Sequence, residues 1–289
     1  MIVVKRLIPL MLILFLIVIG IPAFAEALPW AGGTPIDDNP QAIDLDGDGD
    51  AETIWLETVP DDFESFQRLH VVEANGTEDF YDMEIISGAT ACAGDMNRDG
   101  FLEIFVWGDI MSDDYYTWCL HYNGEYLIPV LFADTRRGEN GDGYYKAGYG
   151  MLTDVSPECT ITLCGSQDML GTYFMERTLS LTVEGLFELT DDGRWVRDIE
   201  GLDLGNDEFW DGYSVLTPIA AVPTADGAPI QPGEKFIITG TDKQTEASFI
   251  TQTGRTGTLN ISDDYERGWG WRIDDIPEDE LFEYIPYAD

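Results

Sequence analysis

The segment Asp44-Leu-Asp-Gly-Asp-Gly-Asp-Ala-Glu52 runs directly into Thr53-Ile-Trp-Leu56. Its partner, Asp95-Met-Asn-Arg-Asp-Gly-Phe-Leu-Glu103, starts 51 residues later and runs into Ile104-Phe-Val-Trp107. An acidic loop followed by a β-branched and aromatic run reads as a turn feeding a strand. Each unit continues with a variable loop, near Pro60-Asp61-Asp62 and near Ser112-Asp113-Asp114. A strand follows in each, Leu69-His-Val-Val72 and Thr117-Trp-Cys-Leu120. Asn75-Gly76 and Asn123-Gly124 then mark hairpin turns, because both central positions of such turns favour φ above zero. Each unit is therefore expected to hold four antiparallel strands. The repeats fall near residues 40–90 and 91–133, with a degenerate third unit at 149–200. A period of this size with four strands per repeat points to propeller blades or a related array.

The third unit is expected to place two strands in Tyr149–Cys164, around Asp154-Val-Ser-Pro-Glu158. Leu179–Leu189 and Arg194–Ile199 flank an Asp191-Asp192-Gly193 turn, and residues 30–43 and 205–220 are further strand candidates. Gly138 to Gly150 reads as a surface loop. Closing a propeller takes at least four blades, so the expected array is small, open or incomplete.

Counted from the first Asp, loop one presents Asp44, Asp46 and Asp48 at positions 1, 3 and 5, then Asp50 at 7 and Glu52 at 9. Loop two presents Asp95, Asn97 and Asp99, then Phe101 at 7 and Glu103 at 9. Gly49 and Gly100 at position 6 permit a sharp reversal, and the position-7 carbonyl can turn inward. Such a ladder supplies the hard oxygens that Ca²⁺ takes at about 2.3–2.6 Å, whereas Mg²⁺ demands a stricter octahedron. The expected cofactor is calcium, about two ions per chain in a structural role. An EF-hand needs Glu at position 12 and flanking helices. Here position 12 is Trp55 or Val106, and the flanks read as strands.

The pattern Asp-x-Asp/Asn-x-Asp-Gly-x-x-Glu between strands resembles the FG-GAP (VCBS-like) repeat of integrin-type β-propellers and many exported bacterial proteins. The resemblance covers residues 40–133 well and 149–200 poorly. It implies an all-β propeller-like array with structural calcium. Glu stands at position 9 where that repeat carries Asp. After Pro223-Thr-Ala-Asp-Gly-Ala-Pro229 the texture changes to short strands and tight turns. Gly233-Glu-Lys-Phe-Ile-Ile and Gly254-Arg-Thr-Gly257 resemble bacterial Src-homology-3-like domains, with Thr258 standing where that turn carries Trp. The resemblance implies a small barrel-like β domain over 221–289, after a β-repeat domain over 26–220. Pro277-Glu-Asp-Glu280 reads as the start of a short terminal helix with acids in its first turn. Trp269 and Trp271 are either core or aromatic surface.

Composition narrows the function. Asp and Glu number 55 against 15 Lys and Arg, a net charge of −40 over 289 residues. A chain without a basic face is not a nucleic-acid binder, and the charge favours cations. Lys5 and Arg6, an apolar run from Leu7 to Gly20, and Ala23-Phe24-Ala25 form a signal-peptide pattern over residues 1–25. An uncleaved anchor is the alternative reading. Cleavage removes two cations and no acid, taking the charge from −40 to −42. It leaves a secreted or cell-surface protein without stable membrane insertion.

Only His70 and His121 are present, at matching places in the two repeats, which reads as a shared structural role. No Gly-x-Ser-x-Gly, Walker or His-Glu-x-x-His motif occurs. Cys92, Cys119, Cys159 and Cys164 read either as disulfides, 159–164 with 92–119 being one of three possible connectivities, or as free thiols. The sequons Asn75-Gly-Thr77 and Asn260-Ile-Ser262 matter only in a glycosylating host. The expected function is a binding or adhesion module for a cell-envelope, carbohydrate or protein ligand, not an enzyme. The alternative is a secreted glycan hydrolase acting through a carboxylate pair.

Overall fold

Ile43 pairs with Glu52 and Gly94 pairs with Glu103, so each acidic loop closes the same two-strand corner. A computed structural model describes residues 28–61, 65–111, 114–133, 143–190, 193–200, 202–212, 215–264 and 270–287. Residues 1–25, Trp269, Asp191, Asp192 and the start of the glycine-rich segment lie outside the described residues. The fold is nearly all-β, built on antiparallel sheets.

The first strands are β1 (Thr34–Ile36), β2 (Gln41–Ile43), β3 (Glu52–Pro60), β4 (Ser65–Val72) and β5 (Glu78–Met83). Then come β6 (Ser87–Gly94), β7 (Glu103–Met111), β8 (Asp114–Tyr122) and β9 (Leu127–Pro129). The first sheet is β2-β3-β4-β5. The second is β1-β6-β7-β8, extended on β8 by β9 and by β12 (Ala147–Tyr149). The two repeats are thus two four-stranded units, with β1 added to the second.

The third sheet takes in β10 (Leu131–Ala133), β11 (Tyr144–Tyr145), β13 (Met151–Ser156), β14 (Thr160–Asp168), β15 (Thr172–Leu181), β16 (Leu186–Leu189) and β17 (Trp195–Val196). It continues through β18 (Phe236–Thr241), β19 (Glu246–Thr251), β20 (Thr256–Asp263), β21 (Trp271–Ile273) and β22 (Ile276–Pro277). The helix α1 (Glu278–Leu281) follows, at the predicted place, with Pro277 as its N-cap residue. β10 and β16 run parallel, against the antiparallel grain of the rest.

The sheets stack face to face. Alternation along β7 shows it: Ile104 and Val106 join a core with Ile54, Leu56, Leu69 and Val71 of the first sheet. Phe105 and Trp107 join a second core with Ile161, Leu163, Leu179 and Phe187 of the third. The second sheet is therefore covered on both faces, as its near-continuous apolar run requires. The described chain begins in that second core. Trp30 packs edge-on against Phe105 at 5.8 Å, and Pro29 accepts a hydrogen bond from the Val155 N–H.

A third core runs across the 220/221 boundary. Tyr149, Met175 and Trp195 pack with Phe236, Phe249 and Leu259, and Trp195 pairs with Thr241. Trp271 belongs to it, with its indole N–H donating to the Asp168 carbonyl at 3.2 Å. Within residues 205–220, Leu216 and Pro218 contribute isolated bridges rather than strands.

Several expectations need correction. Leu179–Leu189 is not one strand: it spans the end of β15, a turn at Thr182–Gly185, and β16. Residues 143–150 of the expected surface loop form β11 and β12, and a Cβ at Gly148 would lie 2.7 Å from Phe132. The two histidines do not share a role. Thr53 pairs with Val72, but the equivalent Ile104 pairs with Leu120, so the second hairpin is three residues tighter. An odd shift turns side chains to the other face. His70 stacks on Trp55 at 4.3 Å on the outer face of the first sheet, with Glu57 and Glu78 on its two ring nitrogens. His121 instead pairs with Glu103 and lies against Phe101.

The four cysteines are free thiols. Cys92 and Cys119 both oppose Phe105, so they sit two strands apart, about 10 Å and beyond disulfide reach. Cys164 lies within β14, while Cys159 sits in the turn before it and donates to the Met96 carbonyl at 3.5 Å. Burial pushes the Cys92 thiol up to about 12.

Candidate metal centre

Loop one joins β2 to β3 and loop two joins β6 to β7. The position-1 carboxylates are built into the turn. Asp44 accepts from the N–H groups of Gly47 (2.8 Å) and Gly49 (3.1 Å). Asp95 accepts from Asp99 and Gly100, both at 3.1 Å. At position 3, Asp46 accepts from the Asp48 N–H and Asn97 from the Asp99 N–H. At position 5, Asp48 accepts from Asp50 and Asp99 from Phe101. Side-chain-to-backbone bonds of this kind are why Asp and Asn favour such turns. Gly49 and Gly100 both have strongly positive φ, 94° and 95°.

Position 9 is spent differently from the other acids. Glu52 and Glu103 are 4% and 3% exposed. Each turns one carboxylate oxygen to the position-2 N–H, Leu45 at 2.7 Å and Met96 at 2.8 Å. Burial raises both carboxyls. The backbone bond opposes it, and the neighbouring Asp charges add to it. For Glu103 the result is about 7.

Carboxylate oxygens of Asp44, Asp46 and Asp48 lie within 4.8 Å of one another. Asp50 and Glu52 are not part of that group. Like charges this close repel by about 1 kcal/mol per pair even in water, and by more near a protein surface. In loop two, Asn97 takes the central place and donates its amide to Asp99 at 2.9 Å. Of the position-7 residues, Asp50 and Phe101 each give an N–H to the position-5 carboxylate, and Phe101 lays its ring against His121 at 5.4 Å. Three oxygens grouped on one tight loop, all hard donors, fit a cation of the calcium type.

Several contacts around the loops were not read from the sequence. Leu45 and Met96, buried between acids, anchor each loop in a core. The loops also touch each other: the Leu102 N–H donates to the Leu45 carbonyl at 2.8 Å. A Cβ on Gly47 would lie 2.6 Å from the Gly100 carbonyl oxygen. Tyr122 donates its hydroxyl to Glu73, and burial together with surrounding acids raises it. The apolar residue at position 2 was the available signal. The loop-to-loop contact had none, because it depends on how two sheets stack.

No protein-family model, no curated protein and no solved structure matches the chain.

Proposed function

We propose that this is an exported, calcium-stabilised β-repeat protein of the FG-GAP-like plan, working as a binding module. The matched geometry of the two loops carries the reading. Positions 3, 5 and 9 make the same side-chain-to-backbone bonds 51 residues apart, and one loop gathers three carboxylates. Asp44, Asp46 and Asp48 would hold one ion and Asp95, Asn97 and Asp99 the other. The position-7 carbonyls of Asp50 and Phe101 would complete the sets, and Glu52 and Glu103 would brace them. The ion supplies charge neutralisation. Each loop fixes a corner within its own sheet, and the two loops meet through the Leu102–Leu45 hydrogen bond, so their rigidity passes to the array. A face-to-face stack of repeat sheets is consistent with a small, open propeller-like array. The ligand is expected at a cell envelope, as a carbohydrate or a protein.

Calorimetric titration of calcium into chelator-treated protein tests the metal reading. Saturable binding near two ions per chain, lost in Asp48→Ala/Asp99→Ala, is the expected result. Absence of binding overturns it.

A further inference from the structure

We infer that the joint between β14, β15 and β17 holds a small hydroxyl-bearing oxyanion of the hydrogencarbonate kind, bound by Arg197 and Gln167. β17 is the strand through which the third sheet passes from β15 to β18. The joint therefore ties residues before 220 to residues after it. The proposal goes beyond the calcium reading and does not depend on it.

Acids outnumber bases 55 to 15, so a cation in this chain finds an acid easily. Arg68, Arg194, Lys235, Arg255 and Arg272 each pair with one. Arg197 pairs with none among the described residues. Its guanidinium lies over the Tyr173 ring at 5.4 Å, and its Nη1 is buried without a hydrogen-bond partner. Burial lowers its pKa from the usual guanidinium range, and the influence set against that is Tyr173, not a carboxylate. Gln167 is fully buried, and neither polar atom of its amide has a partner. It stands directly opposite Tyr173 in the β14–β15 register, on the same face. The two open groups thus share one neighbour. Arg177, 3% exposed, lies over Trp195 at 4.6 Å and adds a second positive charge beside them.

A buried charge without a counter-charge is strongly destabilising, and so is a buried amide without partners. A trapped water would meet the amide but leave the charge standing. A halide would accept from Arg197 and from the Gln167 NH₂ but leave the Gln167 carbonyl open. An oxyanion with one hydroxyl meets all three groups. Its charged oxygens accept from Arg197 and the Gln167 NH₂, and its hydroxyl donates to the Gln167 carbonyl. This holds whichever way the amide is turned, because it always offers one NH₂ and one C=O. A fully buried place admits only a small ion, and hydrogencarbonate carries that pattern on four heavy atoms. The net charge of −40 repels anions at long range. Only a fixed, desolvated cation holds one against that field.

The test is calorimetric melting in chelator at mildly alkaline pH, with sodium hydrogencarbonate, chloride or gluconate at equal ionic strength. Gluconate is the reference, too bulky to enter. At hydrogencarbonate well above Kd, Tm is expected to rise by about 2–4 °C over gluconate, with a smaller rise in chloride. Arg197→Met and Gln167→Leu should each lose the hydrogencarbonate rise. Gln167→Leu should keep its Tm in gluconate, since it removes an unpaired amide. Arg68→Gln, a surface cation already paired with Asp82, should keep the full rise. No rise over gluconate, a rise that survives in either site variant, or its loss in Arg68→Gln overturns the proposal. An equal rise in chloride overturns the assignment to a hydroxyl-bearing oxyanion. A direct reading uses the unaltered protein, so it stands even if a variant fails to fold. The ¹³C line of labelled hydrogencarbonate should broaden with protein and not be restored by equimolar chloride. An unbroadened line overturns the proposal.

Discussion

Loop 44–52 and loop 95–103 make nearly the same hydrogen bonds, yet they differ in charge. Loop one carries five acids and no base; loop two carries Asp95, Asp99 and Glu103 with Arg98 among them. The backbone scaffold is therefore separable from the electrostatics. Turn-forming Asp and Asn, a left-handed position 6 and a buried Glu suffice to shape the loop. Extra carboxylates do not refine the shape; they add repulsion that a cation must relieve. On the proposed calcium reading, the first loop would be the more dependent on an ion and the second the more self-sufficient.

The largest expected effect follows from that difference. At calcium 100-fold above Kd a site adds about 2.7 kcal/mol. For a chain of this size that is a Tm shift of roughly 5–10 °C per site. Asp44→Asn/Asp48→Asn should remove more of the calcium-linked rise than Asp95→Asn/Asp99→Asn, and raise Tm in chelator, because Asn keeps an acceptor for the turn N–H groups while removing the repelling charge. Equal behaviour of the two variants in differential scanning calorimetry would break the comparison.

Position 4 separates the loops next. Gly47 and Arg98 both have positive φ, 74° and 63°. Gly47→Ala forces a Cβ onto the Gly100 carbonyl, so a loss of about 1–3 kcal/mol is expected. Arg98→Gly relieves a left-handed side chain, with an expected gain of about 0.5–1 kcal/mol. Urea unfolding of both variants checks the opposite signs.

The histidines extend the comparison to the hairpins. His70→Gln removes a buried ring held between two glutamates and Trp55, and should cost about 1–2 kcal/mol. His121→Gln, on the other face, should stay within about 0.5 kcal/mol. Equal costs would mean that the register shift has no energetic consequence.

The smallest expected effect is a pH slope. In the metal-free protein the Glu103 carboxyl sits near 7 instead of its usual 4.5, so the folded state holds a proton that the unfolded state has lost between those values. Stability from this group is complete below about 4.5 and declines as pH rises towards 7. Glu103→Gln in chelator should flatten that decline. An unchanged Tm–pH profile would show that the buried carboxyl is not the cause.

Most of the first half could be read because its signals are local. Asp ladders, Asn-Gly turns and β-branched runs specify their own neighbourhood. The third unit hides because its signals are not local. The turn between β14 and β15 is Met169-Leu170-Gly171, apolar residues that a turn rule passes over, and Leu170 itself has φ of 55°. Gly148 is small so that Phe132 and Leu163 can approach, which reads in sequence as looseness. The convergence of Asp44, Asp46 and Asp48 was legible, but the burial of the position-9 glutamate was not. Whether a glutamate faces an ion or a buried amide depends on the sheet behind it.

The hydrogen bond from Val155 to Pro29 sets an order of events. Val155 comes 126 positions after Pro29, and chains emerge N-terminus first. The first two sheets contain nearly all their own partners and can collapse early through short-range hairpins. Trp30 has no third sheet to complete its pocket until much later. The stack is therefore expected to assemble outward from the repeats, with the N-terminal tie as its slow final clasp. A stopped-flow trace on Trp30→Phe should lose its late fluorescence phase and keep its early ones.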